Sequence, residues 1–193
     1  MGSVSNPVGN GFVASLAKPG GNITGVSNQQ EEVLNKPIEI LHEITPGARR
    51  FAILLNETSP SYAAYWAAAQ RACAALNLVA LKVVGSTPSQ LGAATAQIVR
   101  EQSQAVVVPA DSLYLNIRAE LQALMQATRL PVAYGWREHV VDGGLLSYAP
   151  DIAASFRYVA KYVDRILKGA KPTDLPVEQP TKFDFVINLK TAK

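Results

Sequence analysis

What most restricts the fold of this chain is how its short apolar runs end. Phe51-Ala52-Ile53-Leu54-Leu55 passes into Asn56-Glu57-Thr58-Ser59-Pro60. Ala105-Val106-Val107-Val108 passes into Pro109-Ala110-Asp111-Ser112, and Pro131-Val132-Ala133 into Tyr134-Gly135-Trp136-Arg137-Glu138. A helical pattern follows each. Short strands alternating with helices of this length form right-handed βαβ units and a parallel sheet. In such a sheet all strand carboxyl ends share one edge, where small ligands bind. The expected class is α/β, a three-layer αβα parallel sheet. A flavodoxin-like strand order fits, but the sequence leaves that order open.

The spacing predicts helices over 31–45, 60–76, 88–102, 112–128 and 136–141, and strands over 50–55, 78–84, 104–108, 131–134 and 145–148. Leu34, Ile38, Leu41 and Ile44 form the inner stripe of the first helix, with Pro37 either kinking it or marking its first turn near a cap at Asn35. Tyr62, Trp66, Ala69, Cys73 and Leu76 form the expected stripe of the second. Thr87 is the expected cap of the third, with Leu91, Thr95 and Ile98 inward. The fourth carries Leu113, Ile117, Leu121, Leu124 and Thr128, capped by Asp111 or Ser112. At the amino end, Val8, Phe12 and Leu16 suggest a short helix before the turn Lys18-Pro19-Gly20-Gly21-Asn22. A helix over 151–169 shows Ile152, Phe156, Val159, Val163 and Ile166 on one face and Gly169 at its end. A Pro-rich stretch, 172–180, leads to a last strand near 183–189. These flanks have apolar faces and no core of their own. They read as remnants of a second lobe.

Of the 193 residues, 48% are hydrophobic and 17% charged, enough apolar material for a core. The net charge of +3 is spread out, with Arg49-Arg50 the one adjacent basic pair, so no nucleic-acid partner is expected. A single cysteine, Cys73, excludes an internal disulfide and a Cys-rich metal site. The chain shows neither a signal-peptide pattern nor an apolar stretch that could span a bilayer.

The candidate ligand-binding residues are those at the strand ends. Asn56 and Ser59 stand where a helix offers free amides to a polar group such as a carboxylate. Thr58 and Ser59 could instead only cap that helix. Asp111 could accept a hydrogen bond from a ligand amine, or with Ser112 merely cap the next helix. Tyr134, Trp136 and Glu138 form the third group, its aromatics placed to stack on a ligand or to pack beneath the short helix. Catalytic patterns are lacking. His42 and His139 sit in no triad or metal spacing, and no phosphate-binding glycine motif follows a strand. Glu57 and Asp111 make only a partial acidic set, without the lysine of a phosphoacceptor site. No catalytic residue, metal or cofactor is expected. The alternative is a small α/β signalling or enzyme domain acting at the same edge.

Three segments carry a family resemblance: Asn6-Pro7-Val8-Gly9 through Ile23-Thr24-Gly25; Tyr134 to Glu138 with Gly143-Gly144-Leu145-Leu146-Ser147-Tyr148; and Pro176 to Phe183 continuing to Lys193. In this order they resemble the ABC-transporter substrate-binding proteins of the uncharacterised or tryptophan-binding-like kind. The resemblance implies a periplasmic-binding-protein type I lobe with remnants of a second lobe. Residues 1–24 would be a remnant of the first lobe and a crossover, 25–148 the second α/β lobe, and 149–193 a helix and a strand returning between lobes. Thr24, Gly25, Ser147 and Tyr148 would act as hinge. The implied function is solute binding for an ABC importer, non-catalytic, with an amino acid or aromatic metabolite held in an interlobe cleft. The implied partner is the transporter permease and the implied location periplasmic or extracytoplasmic. Family members carry about a hundred further residues ahead of Asn6. The apolar faces of 6–17 and 151–167 therefore predict a homodimer or swapped assembly.

Overall fold

Strand β1 (Arg50–Leu55) is the centre of the architecture, because all of its residues after Arg50 are buried. Phe51, Ile53 and Leu55 face one apolar cluster, and Ala52 and Leu54 the other. A strand buried on both faces belongs to a parallel sheet covered by helices on each side. The computed structural model describes residues 1–2, 4–28, 33–180 and 182–192. They fall into two compact units, Met1–Glu31 with Pro150–Phe183, and Glu32–Ala149 with Asp184–Lys193.

In the larger unit, β1 pairs in parallel with β2 (Val79–Val84) and with β3 (Ala105–Val108). β3 pairs with β4 (Val132–Tyr134), and β4 with β5 (Leu146–Pro150). The order is β2-β1-β3-β4-β5-β6, with β6 (Phe183–Ile187) at the far edge. The first five strands follow the flavodoxin-like order, whose direction of winding reverses between β1 and β3. Helices α1 (Asn35–Ile44) and α2 (Tyr62–Ala75) pack on one face, and α3 (Pro88–Arg100) and α5 (Arg118–Thr128) on the other. The short α4 (Ser112–Asn116) precedes α5, and the short α6 (Arg137–Val141) follows β4.

Pro37 lies in the first turn of α1, where amides have no partner within the helix. The start of the helix predicted over 31–45 includes residues outside those described. Other expectations are corrected. The helix expected over 112–128 is two, broken at Ile117, which has φ −104° and ψ 23°. The fully buried side chains are Tyr114, Leu121, Gln122 and Met125; of the expected stripe Leu121 is in the core, Leu113, Ile117 and Leu124 pack half-buried against it, and Thr128 is half-buried. Tyr114 turns in because its hydroxyl reaches the Gly85 carbonyl at 3.0 Å, which a count of leucines does not reveal.

On α2 the buried face is Tyr65, Ala68, Ala69 and Cys73. The alanines let the helix lie close to the sheet. Tyr62 and Trp66 stay at its margin, beneath the Lys82 ammonium at 5.5 and 4.8 Å from their ring centres. Thr87 stands at the start of α3 but its side chain makes no capping bond.

In the smaller unit, no helix forms over Val8–Leu16. The Asn10 amide reaches the Asn6 carbonyl at 2.9 Å, and then Gly11 adopts φ +73° and ends the turn. Val13 is buried there, while Val8 and Phe12 are exposed. Helix α7 (Ile152–Leu167) forms as expected, capped by Asp151 through the Ala154 amide at 3.0 Å. Among the described residues of this helix Ser155 and Tyr162 are buried, and Phe156, Val163 and Ile166 are exposed. The Tyr162 hydroxyl donates to the Pro176 carbonyl. Burial first, then the Glu178 carboxylate, push this phenol up to about 12.

Candidate functional site

The reversal between β1 and β3 brings together the turns that follow the two strands. Asn56, directly after β1, meets Asp111, three positions past β3. The Asn56 side-chain nitrogen donates to both Asp111 carboxylate oxygens, at 3.2 and 3.3 Å. Asn56 Oδ1 accepts from the Thr58 amide at 3.0 Å and from the Thr58 hydroxyl at 2.8 Å. This turn explains an asparagine at the strand end and fixes its amide with the nitrogen towards Asp111. Asp111 in turn caps α4, its Oδ1 accepting from the Leu113 amide at 2.8 Å.

The end of β4 adds the third member. Trp136 Nε1 donates to the Asp111 carbonyl at 3.4 Å. The chain reaches it through Gly135, whose amide donates to the Val108 carbonyl at 2.8 Å. A Cβ on Gly135 would stand 2.2 Å from the Ala110 nitrogen, so only glycine lets the two loops approach this closely. From α2, the Tyr65 hydroxyl donates to the Ala110 carbonyl at 2.9 Å. Four elements thus hold one loop, 109–111.

Asn56 and Asp111 are each 8% exposed and Trp136 9%. Among the described residues no ion pair involves Asp111. Its carboxylate is therefore held by neutral donors alone, in a place where burying a charge is expensive. That arrangement suits a cationic or hydrogen-bond-donating group arriving from outside. Among the described residues no three His, Cys, Asp or Glu side chains gather as a metal site.

The other candidates are placed differently. Ser59 is half-buried, its amide donating to the Asn56 carbonyl at 3.1 Å. Ser112 and Glu138 are exposed at the starts of α4 and α6. Tyr134 is 1% exposed and packs among Leu121 and Met125. Its ring stacks on His139 with centroids 4.8 Å apart. Burial drives the Tyr134 phenol well above its ordinary value. The last residue of a strand still has a strand face, and here that face is core. His139 is fully buried, with Nε2 at 3.2 Å from the Tyr114 carbonyl. Burial lowers its pKa. The buried Cys73 thiol is pushed up to about 11 by desolvation.

Of the proposed hinge residues, Thr24 donates from its hydroxyl to the Leu175 carbonyl at 2.5 Å, and the Gly25 carbonyl accepts from the Glu178 amide at 3.0 Å. Ser147 is fully buried on β5, and Tyr148 beside it is half-buried. Sequence reasoning missed Tyr65, Tyr114 and Gly135. The signal for Gly135 was its place between two aromatics past a strand end. The tyrosines gave none beyond their residue type.

Comparison with known proteins identifies the family and the fold. A family model described as ABC transporter substrate binding protein matches residues 1–193. A "Tyrosine-binding protein" of Clostridioides difficile (strain R20291) is 23% identical over 193 residues, covering 100% of this chain and 55% of that protein. The crystal structure of an ABC domain in complex with L-Trp from Streptococcus pneumonia superposes with a TM-score of 0.89 at 24% identity, covering 100% of this chain and 66% of that one. A conserved domain protein from Vibrio cholerae gives a TM-score of 0.90 at 23% identity, covering 98% and 63%. The chain thus spans roughly half to two-thirds of the length of these relatives. The fold is that of the type I periplasmic binding proteins, and the chain belongs to the ABC transporter substrate-binding protein family, whose members bind small solutes and are typically extracytoplasmic.

Proposed function

We propose that this chain is part of the solute-binding component of an ABC importer. It takes an amino acid or an aromatic metabolite in a cleft between two lobes, without catalysis. The observation that carries the reading is the buried Asp111 carboxylate, held only by neutral donors beside Asn56 where the winding of the sheet reverses. Asp111 accepts from the ligand ammonium and Asn56 keeps the carboxylate oriented. Trp136 lends apolar surface beside it, and Ser59, Ser112 and Glu138 line the polar approach. Tyr134 supports this surface from the core. The relatives whose names mention tyrosine and tryptophan support an amino-acid ligand. Thr24, Gly25, Ser147 and Tyr148 serve as the hinge, and a permease is the partner. A homodimer through 6–17 and α7 goes with this reading, and a monomer by light scattering at high micromolar concentration would remove it.

A thermal-shift screen of amino acids tests the binding. A ligand at 100 times its Kd stabilises the folded state by about 2.7 kcal/mol. At least one amino acid is expected to raise the melting temperature, and Asp111→Asn is expected to abolish that rise. If no amino acid or aromatic metabolite shifts the transition, or the variant responds like the parent, the proposal fails.

A further inference from the structure

The edge where Asn56 meets Asp111 carries several hydrogen-bond donors, and they are turned onto the protein itself. Asn56 Nδ2 is bound to both Asp111 carboxylate oxygens. Trp136 Nε1 donates to the Asp111 carbonyl, and the Tyr65 hydroxyl to the Ala110 carbonyl. In the turn after β1 the Glu57 amide donates to Ser86 Oγ at 2.8 Å. The Thr58 amide and hydroxyl go to Asn56 Oδ1, and the Ser59 amide to the Asn56 carbonyl. A carboxylate taken out of water needs donors to replace its hydration. The side chains held against the 109–111 loop have spent theirs. The hydroxyls of Ser59 and Ser112 remain, half-buried and exposed, and neither carries charge.

Charge points the same way. The turns 56–61, 85–87, 109–111 and 135–136 contain no Lys, Arg or His. Arg137, the first residue of α6, is exposed with the exposed Glu138 next to it. Glu57 is exposed in the turn after β1. Three carboxylates, on Glu57, Asp111 and Glu138, thus stand against one guanidinium, in a chain whose net charge is +3. An edge with an excess of one sign draws ligands of the other. Water and salt screen the exposed Arg137, whereas the buried Asp111 is screened much less.

We propose that this edge reads the ammonium of its ligand and not a carboxylate, so that primary amines on an aromatic body are ligands of the same site. They are the decarboxylated counterparts of aromatic amino acids. The inference rests on the amino-acid reading above and names the part of the ligand that this chain requires. The amine donates to the Asp111 carboxylate and its ring meets Trp136. Losing the ligand carboxylate removes no partner from Asn56, Tyr65 or Trp136, because each is already bound to the protein.

The test is calorimetric titration of the 193-residue chain with two pairs, tyrosine with tyramine and tryptophan with tryptamine. The amine is expected to bind within about fivefold of its amino acid, the most that an exposed pair with Arg137 would contribute. 4-Hydroxyphenylpropionate and indole-3-propionate, which lack the ammonium, should bind at least about tenfold more weakly, the loss of one charged hydrogen bond. Asp111→Asn should weaken amine and amino acid alike, and Arg137→Gln should leave their ratio unchanged. Binding of the amine alone upholds the inference. An amino acid that binds while its amine is more than about tenfold weaker overturns it and leaves the amino-acid reading standing. Parent-like amine binding by Asp111→Asn also overturns it. Failure of all four ligands to bind at millimolar concentration removes both.

Discussion

Helices α3 and α7 are both amphipathic, yet they end in opposite situations. On α3, Leu91, Ala94, Thr95 and Ile98 are all buried against the sheet of the larger unit. On α7, Phe156 is 58% exposed and Val163 50%, while Ser155 and Tyr162 take the buried positions. A periodic apolar stripe states that a helix has a face to cover. It does not state what covers that face. The chain spans roughly half to two-thirds of its relatives, and α7 is where the stripe and the burial part company.

The sharpest way to break this comparison is a pair of truncations followed by urea denaturation. Ile98→Ala, at a fully buried position, should cost about 2–5 kcal/mol. Val163→Ala should stay within about 0.5 kcal/mol. An equal cost at both would mean that α7 is covered in solution. Next in size is Gly135→Ala, whose Cβ meets backbone at 2.2 Å. A loss of about 1–3 kcal/mol is expected, together with a shift in tryptophan fluorescence as Trp136 moves. A silent substitution would show that the 109–111 loop is not held as described.

Capping separates the two helices in the other direction. Asp151→Ala should cost α7 about 1 kcal/mol, because its carboxylate accepts from the Ala154 amide. Thr87→Ala at α3, where no side-chain bond exists, should cost less than about 0.5 kcal/mol. Reversal of that ranking by circular dichroism would contradict the assigned caps.

The smallest effect is expected from pH. His139 is buried and its pKa lies below the unfolded value of about 6.5. The unfolded chain therefore binds more protons as pH falls through that range. The contribution of His139 is complete above about 6.5 and is lost as pH drops towards its folded pKa. Facing it are Tyr134 and Tyr114, with Glu138 and Arg118 acting on its charge. Urea midpoints at pH 7.5 and pH 5 should differ less in His139→Phe than in the parent. An unchanged difference would show that His139 does not set this slope.

The strand ends were legible because Asn, Asp and Gly after an apolar run serve local turn chemistry. Asn56 making its turn and Asp111 capping α4 are both i to i+2 relations. What could not be read was the phase of partly ambiguous helices. On α2 the tyrosines at 62 and 65 both suit a stripe, and only contact with the Ala110 carbonyl selects Tyr65. Tyr134 looked free because it ends a strand, but the fold packs it against His139.

The sequence by itself determined the alternation of strands and helices, the α/β class, the local caps and which residues follow each strand. These depend on periodicity and on bonds spanning a few residues. Only the tertiary structure decided that β1 and β3 are neighbours, so that Asn56 meets Asp111 across 55 positions. It also decided which apolar stripes find a partner. Both outcomes depend on the order in which strands assemble, and that order is set by the packing of whole faces rather than by any one segment.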